Sequence, residues 1–332
     1  MDIGGTQPTA MGLEADAMAI GLKDIAAQAE VSMATVSRVL SGKSVRPAYR
    51  LRVEAALATL DYRPNLAARR LRSHKASVVG LIVPDIANPF FVDFVQALET
   101  YVWREGLRLI LCNSAQDAAR EAHYLQLLEE ERVSGILLAP TRSGPAPVTT
   151  APLVLIDRVA GTPSVDSVRL NNVAAAAALV DALHAAGCRR FVGLFGDHGS
   201  TAVERHRGFA EALARHALPA PWTRVPHDQP HRAETVQAAL ADPSYDAILA
   251  GDTLVMLEAA VALHDPAPAA PVRLAGFDGA PWLRLLDANP LIVEQPVDAM
   301  AQAALELLVG RMAGGDGDPV QRLFDGTIVS VA

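Results

Sequence analysis

The spacing of apolar residues divides the chain into two textures. Between Leu22 and Leu40 the apolar positions recur every three or four residues, first Ile25, Ala26 and Ala29, then Val36, Val39 and Leu40. This period predicts two short helices, each with one buried stripe. Val31 and Ser32 separate them, and the Ser32 hydroxyl is placed to accept an orphan backbone N–H near Thr35 as a helix cap. Met33, Ala34, Ser37 and Arg38 are then left facing outward near the start of the second helix, the geometry of a helix pair whose second member enters a major groove. A third amphipathic helix is predicted from about Ala48 to Leu60. Three such helices make a bundle that is marginal alone but adequate as a head piece. The Gly-Lys-Ser at 42–44 is no phosphate loop, because Ser37 stands where such a loop needs its first glycine.

Residues 61–75 carry a fourth pattern. Pro64 stops the third helix, Asn65 can cap a new one, and Leu66, Ala67 and Leu71 give it a narrow apolar face beside Arg69, Arg70 and Arg72. A helix this short forms only against a partner. A charged linker is the other reading, and the pattern alone leaves both open.

From Ala76 the periodicity changes. Apolar runs at 77–84, 108–114, 135–140, 153–157, 189–196, 247–251, 272–278 and 291–296 alternate with helical stretches at 91–105, 119–131, 171–186, 203–217 and 252–264. Continuous apolar strands between helices predict parallel sheets covered on both faces. Ligands of such sheets bind at the carboxyl ends of strands, where Asp85, Asn88, Asp157, Arg158, Asp278 and Gln295 stand.

Composition excludes several classes. The 332 residues are 51% hydrophobic and 20% charged, as in a soluble globular chain of two or three domains. No apolar run reaches the length of a membrane span. Residues 1–21 hold no Lys or Arg and read as a disordered extension, with translation expected to start near Met18. Cys112 and Cys188 belong to no CxxC pair and read as reduced thiols of a cytoplasmic protein. The net charge of −8 is uneven: residues 22–75 carry eleven Lys and Arg against four acids, so a basic head precedes an acidic body. That asymmetry fits either polyanion binding or a solvated basic surface. No catalytic or metal-binding spacing is present among the nine histidines, and His227 and His231 read as surface or pocket-rim residues. The expectation is no enzyme, no metal and no cofactor.

In this order and spacing, KDIAAQAEVSMATVSRVL, YRPNLAARRL, GLIVPDIANPFF, LVLIDR, ERHRGF and AGFDGAPWL resemble LacI/GalR-type transcriptional regulators, over nearly the whole chain after residue 21. The resemblance implies a small all-α helix-turn-helix head (22–64), a hinge helix or linker (65–75), and an α/β core (76–332). That core would be periplasmic-binding-protein-like, with two doubly wound parallel-sheet subdomains, about 76–158 with 291–322 and 159–290 with 323–332. Met33 and Ala34 would choose bases through thymine methyls, Arg38 would reach a base or phosphate, Thr35 and Ser37 would hold backbone phosphates, and Ser32 would open the same DNA-binding helix. Asn65, Ala68 and Leu71 would meet the minor groove of a palindromic double-stranded operator, with Leu71 as wedge. A two-fold operator implies a homodimer.

The implied effector is a small molecule of the sugar class in a pocket similar to ribose-type ones. Its lining would be Asn88, Phe90, Phe91, Asp157, Arg158, Arg205, Asp278 and Gln295. Three positions depart from the family pattern: Gly251 stands for an Asn before Asp252, Ala139 for a polar residue, and Glu30 for a Gly in the helix-pair turn. The main rival is a solute-binding protein with no regulatory role.

Overall fold

Among the described residues the amino-terminal unit holds three helices, α1 (Leu22–Gln28), α2 (Met33–Leu40) and α3 (Pro47–Thr59). They close over Ile25, Ala26, Ala29, Val36 and Val39, which the spacing predicts, and over Val53 and Ala56 of α3; Leu40, the sixth expected position, is half-buried beside them. The Gly21 N–H donates to Asp24 Oδ2 at 2.8 Å at the start of α1. The computed structural model describes residues 21–40, 44–60, 78–159, 164–196, 199–242, 244–264, 272–280, 282–283 and 290–331. The expectations for residues 1–20 and for the hinge, including Asn65, Ala68 and Leu71, lie outside the described residues. The chain divides into two units, 1–74 and 75–332.

The second unit holds two six-stranded sheets built alike. The first runs β11-β5-β4-β3-β1-β2, from β1 (Val78–Val83), β2 (Arg108–Asn113), β3 (Gly135–Leu138), β4 (Leu153–Ile156), β5 (Asp166–Leu170) and β11 (Gln321–Phe324). The second runs β12-β10-β9-β8-β6-β7, from β6 (Phe191–Gly196), β7 (Trp222–Val225), β8 (Ala247–Ala250), β9 (Arg273–Phe277), β10 (Leu291–Glu294) and β12 (Thr327–Ser330). All pairings are parallel except β10 with β12. Helices α4 (Pro89–Arg104), α5 (Ala118–Glu130) and α10 (Val297–Met312) cover the first sheet. Around the second are α6 (Asn172–Ala185), α7 (Gly199–Arg215), α8 (His231–Ala239) and α9 (Thr253–His264). Burial on both faces is why β1, β3, β4 and β8 read as unbroken apolar runs.

The subdomain boundaries differ from those expected. The chain first crosses after β5, at 171, not after 158, and returns at 295–296, after β10 rather than before it. The last crossing lies between β11 and β12, at 325–326. Strand β5 escapes a sequence reading because it opens on Asp166, a carboxylate only 2% exposed. Arg311 of α10 holds that carboxylate with two 2.8 Å bonds, a long-range pairing that no local pattern shows.

Candidate functional site

Two places carry candidate chemistry, one in each unit. In the head, Ser32 Oγ accepts Thr35 N–H at 3.2 Å and lies 2.9 Å from Thr35 Oγ1, so the hydroxyl starts α2. Ser32, Met33, Ala34, Ser37 and Arg38 are exposed, and Thr35 is half-buried. Met33 is 48% exposed, an apolar side chain held in solvent by the two buried valines on the opposite stripe. The turn before α2 is bent through Glu30, at φ +49°. Arg52 of α3 clamps it, donating to Ala29 O and Glu30 O at 2.9 Å each and to Glu30 Oε2 at 2.8 Å. These bonds offset the left-handed strain that a glycine would avoid.

In the core, the carboxyl ends of both sheets face one cleft of about 60 Å³. Asn88, Phe90, Phe91, Asp157, Arg158, Arg205, Asp278 and Gln295 all line it, together with Gln116, Thr201, His227 and Asp252. Strand order explains the convergence. Asp157 follows β4 and Asp278 follows β9, the third strand of each sheet, and both are left-handed, at φ +58° and +64°.

Burial and charge tune the groups. Arg205, 3% exposed, donates from Nε to Asn172 Oδ1 at 2.8 Å and from Nη1 to the Gly251 carbonyl at 2.7 Å, with its guanidinium 3.7 Å over the Phe277 ring. Arg158 donates to Gln116 Oε1 at 2.9 Å and stands 3.7 Å from Asp157 Oδ2. Burial pushes the Asp157 carboxyl above its usual range, against the pull of Arg158 and Arg205. Asp278 is pushed up to about 7, by burial first; Arg205 and a 2.8 Å bond from Gln295 Nε2 oppose the rise, and Asp157 and Asp252 add to it. Arg158 Nε and Gln295 Oε1 are buried with no hydrogen-bond partner among the described residues. A cleft that leaves one donor and one acceptor unmet suits hydroxyl groups, which both donate and accept.

Several expected residues have a second duty. Asn88 Oδ1 accepts Phe90 N–H at 3.0 Å and so caps α4. Phe90 and Phe91 meet edge to face at 5.0 Å and join the core of the first subdomain as well as lining the cleft. The departure at Gly251 has a steric reason: a Cβ there would lie 2.9 Å from Leu194 O and 3.0 Å from Phe195 Cα. Asp252 Oδ1 caps α9 through Val255 N–H at 2.8 Å. Ala139 is fully buried at the end of β3. Gln116 and Asp252 follow β2 and β8, so the strand-end rule points to them. His227 follows β7, a short strand with little apolar signal. Among the described residues no cluster of His, Cys, Asp and Glu could hold a metal ion, and no helix is long and apolar enough to cross a membrane.

Two family profiles match the chain. One described as "Bacterial regulatory proteins, lacI family" covers residues 21–65, and "Periplasmic binding proteins and sugar binding domain of LacI family" covers 76–313. The chain is 31% identical over 300 residues to the ribose operon repressor of Bacillus subtilis, spanning 87% of this chain and 90% of that one. It is 30% identical over 298 residues to the ribose operon repressor of Halalkalibacterium halodurans, spanning 87% and 89%. The crystal structure of the lac repressor dimer bound to operator and the anti-inducer ONPF superposes with a TM-score of 0.81 at 20% identity, covering 94% of this chain and 98% of that one.

Proposed function

We infer that this chain, which belongs to the LacI family of bacterial regulatory proteins, represses transcription as a cytoplasmic homodimer on a palindromic operator and releases or grips that operator according to a small sugar in the cleft. The lacI-type head makes it a DNA-binding regulator and not a solute-binding protein alone. Met33 and Ala34 read base edges, Ser32, Thr35 and Ser37 position the phosphates, and Arg38 reaches a base or phosphate. Asn65, Ala68 and Leu71 complete the contact in the minor groove.

The observation that carries the effector reading is the cleft itself. Eight residues from separate stretches of a chain that crosses three times meet there, with a buried donor and a buried acceptor unmet. Phe90 and Phe91 offer apolar faces to a sugar ring, while Asp157, Arg158, Arg205, Asp278, Asn88 and Gln295 take its hydroxyls. The relatives' names put D-ribose first among candidate effectors. The role is binding and not catalysis. Effector and operator then act on each other's affinity by the same factor, of roughly 5- to 150-fold in ordinary allosteric proteins.

Fluorescence anisotropy tests this with the full chain and palindromic duplexes from upstream of its own gene. The expected result is preference for one palindrome over random duplex, a steep loss of affinity with salt, and a change of affinity on adding D-ribose, D-xylulose, D-fructose or D-glucose. Equal binding to palindrome and random duplex at physiological salt would remove the regulatory reading. A selective operator affinity that none of the four sugars changes would remove the sugar.

A further inference from the structure

The cleft is wired to the crossings between subdomains by a short buried chain of side chains that bind no effector themselves. Arg205 Nε donates to Asn172 Oδ1 at 2.8 Å. Asn172, 1% exposed, stands at the first crossing, and its Nδ2 donates to Glu204 Oε2 at 3.1 Å and to Leu170 O at 3.3 Å. Glu204 Oε1 accepts Arg169 Nη1 at 2.7 Å. Arg169 belongs to β5 of the first sheet, and Glu204 and Arg205 to α7 of the second subdomain. The neighbouring Asn171 ties the first crossing to the third, donating from Nδ2 to Asp325 Oδ1 at 3.2 Å and from its backbone to Phe324 O at 2.7 Å. Asn172 and Glu204 do not line the cleft.

We propose that Asn172 and Glu204 are positioning residues, through which effector contact at Arg205 sets the angle between the subdomains and thereby the operator affinity. Arg205 has few ways to move. Its Nε is held by Asn172, its Nη1 by Gly251 O and its plane by Phe277, so a ligand that draws on the guanidinium must draw on Asn172 as well. Asn172 is the first residue of α6, separated from the end of β5 by Asn171 alone, where a small change of backbone angle rotates a whole sheet. Glu204 makes the link stiff, since it joins Asn172 in the crossing to Arg169 in the first sheet by bonds of which one is between full charges. The network is buried or half-buried throughout, so water does not easily replace a lost partner.

This inference rests on the reading of the cleft as an effector site. Its test separates coupling from binding. The same anisotropy titrations are run on the wild type, on Glu204→Gln, on Asn172→Asp, and on the double variant Asn172→Asp with Glu204→Gln, with and without the four sugars; sugar binding is followed separately by calorimetry. Each single change places two like groups face to face, two amides or two carboxylates. The double change restores an amide opposite a carboxylate, with acceptors again toward Arg205 and Arg169. The expected result is that either single variant keeps operator affinity without sugar and keeps sugar binding within about tenfold, while the sugar's effect on operator binding falls below about twofold, and that the double variant regains most of it. A purely structural role would lower stability and sugar binding together and leave the ratio alone. Single variants that couple like the wild type overturn the relay and leave the cleft reading in place. A single variant too unstable to assay leaves the decision to the double variant, whose failure to couple while still binding sugar also overturns it. A wild type indifferent to all four sugars overturns the cleft reading and the relay with it.

Discussion

Asp157 and Asp278 occupy the same place in two different sheets. Each follows the third strand of its sheet with positive φ, and each backbone N–H donates to the next strand, Asp157 to Val168 O at 2.9 Å and Asp278 to Val293 O at 3.0 Å. The left-handed turn is what swings both carboxylates into the cleft. For an L-residue it carries strain, which Asp and Asn tolerate better than Ala.

Replacement at these two positions is therefore expected to separate backbone from charge. Asp278→Gly should be more stable than Asp278→Ala by about 1 kcal/mol, because glycine relieves the positive φ, and the same order should hold at Asp157. Both replacements should abolish sugar binding. Urea unfolding and calorimetry check the two halves.

The raised carboxyl of Asp278 gives stability a sign with pH. Its ordinary value of 3.8 rises to about 7 in the folded protein. Between those values the folded chain binds a proton that the unfolded chain has lost, so stability falls as pH rises through the window and levels off above about 7. Asp278→Asn lacks this loss. Its melting temperature is expected to match that of the wild type near pH 4.5, to exceed it increasingly toward pH 7 and to keep that margin at pH 8, in a thermal-shift series across buffers.

Arg205→Lys retains the charge but not the fork. One ammonium cannot serve both Asn172 Oδ1 and Gly251 O or lie flat on Phe277. Sugar affinity is expected to fall by at least about tenfold, or 1.4 kcal/mol, with a loss of stability of about 1–3 kcal/mol from the unmet acceptors. Calorimetry and denaturation measure both.

In the head, Ser32→Ala removes the acceptor for Thr35 N–H and is expected to cost about 1 kcal/mol of local stability. Hydrogen exchange at the Thr35 amide should speed up, and affinity should fall for all duplexes alike. Met33→Gln acts differently. It should change which half-site is preferred in a selection from random duplexes while leaving the slope of log affinity on log salt unchanged.

The head was readable from its sequence because its signals are local. A 3.6-residue period marks α1, α2 and α3, and the Ser32 cap lies three residues from the amide it serves. The strands of the two sheet centres were readable for the same kind of reason: burial on both faces leaves an unbroken apolar run. Strands β5, β7, β11 and β12 were not, since they lie toward the sheet edges or carry buried polar groups such as Asp166 and Ser167. Of the eight cleft residues, Asn88, Asp157, Arg158, Asp278 and Gln295 were legible as strand-end polar groups, whereas Phe90, Phe91 and Arg205 came from motif resemblance alone. His227 was legible only as a surface or pocket-rim residue and not as part of the cleft set, because the strand that delivers it is short and half exposed.

The sequence by itself determined the two textures, the helix pair with its outward Met33 and Ala34, and the succession of the central strands with the helices between them, because each depends on period, burial and capping within a few residues. The tertiary structure alone decided where the chain changes sheets, that Gln116, Thr201 and Asp252 join the cleft, and that Arg205 is bound to Asn172 and Gly251. Those facts depend on pairs of residues up to about 150 positions apart, such as Asp166 with Arg311 and Asn171 with Asp325. Their partners are chosen by the packing of whole sheets and leave no mark on the neighbouring sequence.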